Sequence, residues 1–89
     1  MKPQDAFFSR ENRYSLGLDL DLESNRHYAS LPVSNRMVDY EEYFALSAEE
    51  FADYLANPAA AIAFVQECRR HEHDDRLLQL PGSDRGTPT

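Results

Sequence analysis

The stretch Tyr14-Ser15-Leu16-Gly17-Leu18-Asp19-Leu20-Asp21-Leu22 alternates large apolar residues with small or acidic ones without a break. A period of two gives a strand one dry face and one wet face. The even-numbered side chains therefore read as buried, and Asp19 and Asp21 as turned to water. A two-residue turn at Ser24-Asn25, the commonest hairpin loop, sets Leu22 opposite His27, Leu20 opposite Ala29, Leu18 opposite Leu31 and Leu16 opposite Val33. Every facing apolar pair then lies on one side, and a slip of one residue destroys the match. A second two-residue turn at Asn35-Arg36 carries the dry face into a third strand, with Val33 opposite Val38, Leu31 opposite Tyr40 and His27 opposite Phe44. Glu42 is the one charged intruder on that face and is expected at the rim or beside a bulge. Pro32, which lacks an N–H, faces Gly17 in this register and calls for a bulge or an edge position.

Beyond the strands, Ser47-Ala48-Glu49-Glu50 reads as a capping box that opens a helix carrying Phe51, Tyr54 and Leu55. Asn57-Pro58 reads as the cap and first position of a second helix, with Ala61, Ile62, Val65 and Cys68 as its apolar stripe and Phe64 beside it. That helix is expected to fade near His73 or Asp74. Leu77 to Leu80 is a short apolar segment, either a late strand or a helical extension. The expected fold is α+β, a three-stranded antiparallel β-meander packed against two C-terminal helices (β-β-β-α-α). Residues 1–12 read as a flexible N-terminal arm, 13–80 as a single domain and 81–89 as a disordered tail. The expected core is Leu16, Leu18, Leu20, Leu22, Leu31, Val33, Val38, Tyr40, Phe44, Leu46, Phe51, Leu55, Ile62, Val65 and Cys68.

At 89 residues the core is thin, since a domain of this size buries only roughly 60–65% of its unfolded surface. The formal net charge of −7 speaks against binding phosphate backbones and favours basic partners. The single cysteine excludes an internal disulfide and fits a reducing compartment. Met1 to Asp5 is polar with no long apolar stretch behind it, unlike a secretory signal, and the apolar run from Pro58 to Val65 is too short to span a bilayer. The expectation is a cytoplasmic protein with no cofactor, no nucleic acid and no membrane among its partners.

Four constellations bear on function. On the wet face, Asp19, Asp21, Tyr28, Ser30, Asp39, Glu41 and Tyr43 point one way, with Tyr28 facing Tyr43. Tyrosines among carboxylates suit protein contact, so Asp19, Asp21, Tyr28, Asp39, Glu41 and Tyr43 are the candidate partner-binding residues. Residues 37–68 contain no Lys or Arg, which fits an inhibitor- or immunity-like protein that blocks a basic one. The bland reading of both is a solvated sheet face and ordinary helix-end charges. Cys68 to Asp75 holds Cys, His and carboxylate side chains, the raw material of a weak metal site, but His71 and His73 diverge on a helix. Catalysis has little to stand on: there is no phosphate loop and no nucleophile elbow, and Cys68 lies on an apolar stripe. The expected function is a small, acidic, non-catalytic protein-interaction module. The alternatives are a structural homodimer, joined through Ile62 and Phe64 of an Ala-rich helix, or weak metal binding.

Overall fold

The computed structural model describes residues 3–20, 26–34, 39–78 and the backbone of 87–88. The chain forms four antiparallel strands in sequential order, β1 (Pro3–Ser9), β2 (Tyr14–Asp19), β3 (Arg26–Ser34) and β4 (Asp39–Leu46). The helices α1 (Ala48–Ala56) and α2 (Pro58–Arg69) follow, then a 3-10 turn at Asp74–Arg76 and a two-residue strand β5 (Thr87–Pro88) that pairs with β3. The architecture is α+β: the meander has four strands, one more than the sequence suggested, and β5 adds a short pairing to β3. Pro3–Ser9, read as an arm, is a strand in register with β2.

The parity of the hairpins is as the alternation requires, and the registers are not. Leu18 faces His27 and Leu16 faces Ala29, a slide of four residues from the expected pairing; β4 slides by two, so that Ala29 faces Phe44 and Leu31 faces Glu42. Both slides are even, and an even slide keeps every side chain on its own face. The inner face therefore presents Tyr14, Leu16, Ala29, Leu31, Val33, Phe44 and Leu46 to Ala61, Phe64, Val65 and Cys68 of α2. Phe51 of α1 closes the same core, its ring 4.7 Å from that of His27. Leu20 and Leu55, expected inside, are 49% and 42% exposed, and Leu22 and Val38 lie outside the described residues.

Two expected irregularities move. Gly17 faces Tyr28 and not Pro32, and the bulge lies in β1, between Asp5 and Phe7. Pro32 sits within β3 where the neighbouring edge carries no ladder: pairing with β2 stops at Ser30 and pairing with β5 starts at Val33. A missing N–H is tolerated where no partner strand asks for it. Glu42 is neither at a rim nor at a bulge; it is buried at 6% exposure, in regular register with Leu31, and is held by an interaction of its own.

The capping box forms as read: the Glu50 N–H donates to Ser47 Oγ at 3.1 Å and the Ser47 N–H donates to Glu50 Oε1 at 2.9 Å. Asn57 opens α2 with Pro58 in the first position, although the Asn57 side chain makes no capping bond. The second helix stops at Arg69, earlier than expected, and His71 turns the chain with a left-handed φ of 63°. Arg69 reaches back across the fold, donating from Nη2 to the carbonyls of Asn12 (2.7 Å) and Arg13 (2.9 Å) and so fastening the β1–β2 turn to the end of α2. Leu77 bridges Phe44, and the Leu78 N–H donates to Tyr43 O at 2.9 Å, so the apolar segment begins as strand-like cover for the free edge of β4.

Arg76 ties these pieces together. Its Nη1 donates to Glu50 Oε1 at 2.8 Å and to Ala45 O at 3.2 Å, and its guanidinium lies 5.4 Å from the centre of the Phe64 ring. The hydrogen bond from Arg76 holds the Glu50 carboxyl below its ordinary range. Arg76→Ala is expected to cost about 1–3 kcal/mol, the worth of a hydrogen-bonded charge pair at partial burial. Because the folded Glu50 pKa is depressed, its contribution is present above the ordinary 4.5 and fades as pH falls through the folded value. Urea midpoints measured against pH check both points: the variant should lose stability at neutral pH and show a flatter acid limb than the parent.

Candidate functional site

The outer face of the sheet is built on small residues. One cross-strand row runs Phe8, Ser15, Ser30, Tyr43, and the next runs Asp5, Gly17, Tyr28, Ala45. Ser15 and Ser30 are buried at 1% and 0% exposure, which fits a sheet over which neighbouring rings lie flat. Tyr28 shows how. Its ring lies across Gly17, where any Cβ would collide with the ring and with the carbonyl of Gln4. A glycine in a strand often marks such a close approach. At the far end the Tyr28 hydroxyl donates to Asp5 Oδ1 at 2.5 Å, pinning β1 to a strand two places away.

Tyr43 stands edge-on to Tyr28, with ring centres 4.9 Å apart and planes at 86°, the T-shaped geometry that aromatic quadrupoles favour. The two are diagonal neighbours and not direct partners, since Tyr28 faces Ala45. The Tyr43 hydroxyl donates to Glu41 Oε2 at 3.3 Å, and Ser30 Oγ donates to Glu41 Oε1 at 3.4 Å. Burial, then the Glu41 carboxylate, push the Tyr43 phenol up to about 12. Burial, then the bond to Asp5, drive Tyr28 well above the ordinary tyrosine range. Both hydroxyls therefore stay protonated at neutral pH and act as donors to the two carboxylates.

Of the candidate contact residues, the structure gathers Tyr28, Tyr43 and Glu41 and adds Asp5, which sequence reasoning placed in the arm. Tyr28 is fully buried, so it supports the surface without being part of it. Asp19 is buried at 4% exposure and already engaged, unlike the solvated acid expected. Asp39 is exposed near the start of β4, next to Tyr40, and Asp21 lies outside the described residues. The exposed set is thus Asp5, Phe8, Asp39 and Glu41, with Tyr43 half-buried at its centre. The signal for Asp5 and Phe8 was present only in Gly17, whose missing side chain marks where β1 and Tyr28 come close.

The other constellations disperse. Cys68 is buried, and burial pushes its thiol up to about 12, which disfavours the thiolate. His73 Nε2 lies 2.7 Å from Glu67 Oε1 and its ring stacks on Phe64, while His71 is near Asp74 and Glu72 pairs with Arg70. Among the described residues no three His, Cys, Asp or Glu side chains converge on a point where a metal ion could sit. Phe64, which the homodimer alternative leaves for a second subunit, is 5% exposed inside its own core. Among the described residues no helix is long and apolar enough to cross a membrane. Compared with protein-family models, with curated proteins and with solved structures, the chain matches none.

Proposed function

We propose that the protein is a small, non-catalytic interaction module that docks a basic protein on the outer face of its sheet. The observation that carries this reading is Tyr43: a half-buried ring braced edge-on by Tyr28 and bonded to an exposed carboxylate, Glu41. A ring fixed in this way loses little entropy on contact, and its face can receive an arginine whose guanidinium also pairs with Glu41 or Asp5. The net charge of −7 draws a cationic partner in and speeds encounter. An inhibitor- or immunity-like role, in which this face covers a basic active or binding surface, is the specific form that fits best.

The test begins with capture of a partner from the native lysate, followed by titration of the purified pair. Tyr43→Ala is expected to weaken the complex about tenfold or more, in the range of an interface hot spot. Glu41→Gln should weaken it less and flatten its salt dependence. The melting temperature of each variant is measured alongside. A partner that is acidic, or affinity that is indifferent both to salt and to Tyr43→Ala in a folded protein, removes the reading.

A further inference from the structure

The two edges of the sheet differ. The free edge of β4 is covered where Leu77 bridges Phe44 and the Leu78 N–H bonds to Tyr43. Among the described residues β1 pairs only with β2, which leaves its other edge open. An open edge is a template for another strand unless something blunts it. Here Pro3 and the bulge between Asp5 and Phe7 blunt the first half, and Phe7–Ser9 remain regular beyond the bulge. That second half carries the most exposed aromatic side chains of the described chain, Phe7 at 39% and Phe8 at 59%, on opposite faces of the strand.

Charge says what can approach. Over residues 37–68 the chain has no Lys or Arg, so two copies repel through that region. Over residues 1–16 Lys2, Arg10 and Arg13 outnumber Asp5 and Glu11, so a second copy of this acidic chain is not repelled here as it is there. β1 is also self-complementary: it carries Asp5 within the strand and Arg10 just past its end. An antiparallel copy centred on Phe8 sets Phe8 against Phe8, Phe7 against Ser9, and Arg10 of each copy beside Asp5 of the other. Like parity across the axis keeps inner faces with inner faces, as strand pairing requires.

From this edge we infer that a second copy of the chain pairs antiparallel along Phe7–Ser9, centred on Phe8, joining the two four-stranded meanders into one continuous sheet about a two-fold axis. The contact shares Asp5 and Phe8 with the outer face but not Tyr43 or Glu41, so self-association that persists in Tyr43→Ala separates it from the docking reading. In the dimer the outer faces of both copies lie on the same side of the joined sheet, giving a two-fold acidic surface.

Sedimentation equilibrium of the full chain, from micromolar to millimolar, is expected to show a monomer–dimer transition. Phe8→Lys and Phe8→Glu each place like charges directly opposite and should weaken self-association about tenfold or more. Mixing the two variants should restore a dimer, because Lys then faces Glu. Phe8 is exposed on the outer face, so both variants are expected to stay folded, which far-ultraviolet circular dichroism checks. A monomer at every concentration overturns the inference. So does a dimer that neither variant weakens, or one that the mixture does not restore.

Discussion

Phe44→Ala is expected to remove about 3–5 kcal/mol of stability, the usual cost of emptying a fully buried aromatic site. Phe44 is 0% exposed in β4, faces Ala29 on one side and bridges Leu77 on the other. Ala29 is too small to fill the space, and the bridge to Leu77 depends on the same backbone. A domain of this size has a total stability of only about 5–15 kcal/mol, so the variant should lie close to the unfolding threshold at room temperature. Urea titration with an unchanged slope is the measurement. A loss below about 1 kcal/mol would mean that the site collapses freely and that Phe44 is not the centre of the core.

Gly17→Ala should also destabilise, by about 1–3 kcal/mol, and here the sign matters more than the size. On backbone propensity alone, alanine in a strand is better than glycine, so a solvated Gly17 predicts a small gain. In the structure a methyl group at Gly17 runs into the Gln4 carbonyl and the Tyr28 ring. Relief requires β1 to move away, the Tyr28 ring to lift, or both, and either movement breaks the bond between Tyr28 and Asp5. Amide exchange then distinguishes the cases: protection should fall selectively in β1 while β3 and β4 stay slow. A stabilised variant would falsify the placement of Tyr28 over Gly17, and with it the support assigned to Tyr43.

The gap between the expected and observed strands has a single cause. Alternation in Tyr14–Leu22 distinguishes odd from even, because a one-residue slip buries Asp19 on the inner face, but it cannot distinguish a slide of two or four. All even registers keep leucines on the same side. Turn length would have chosen among them, and the two-residue turns assumed at Ser24-Asn25 and Asn35-Arg36 were shorter than the connections that join Asp19 to Arg26 and Ser34 to Asp39. β1 escaped for a related reason. Its bulge between Asp5 and Phe7 interrupts the alternation in an exposed strand, and no period of two survives an inserted residue.

The outer face was partly legible. Tyr28, Glu41 and Tyr43 share a parity, and parity was readable; that Tyr28 is buried and Asp19 is already engaged was not, because burial depends on which strand lies alongside. Cys68 illustrates the reverse case. Its place on the apolar stripe of α2 is enough to expect a buried thiol.

Residue order alone settled the local matters: which side chains share a face, the capping box at Ser47 and Glu50, the proline that opens α2, and the acidic character of the surface. Each of these depends on neighbours within a few positions along the chain. Three-dimensional packing decided the register of the hairpins, the recruitment of Pro3–Ser9 as a fourth strand, and the joining of Asp5 to Tyr28 across β2. Those outcomes weigh contacts between distant segments against one another, and no local pattern records which of several equally patterned pairings fills the core best.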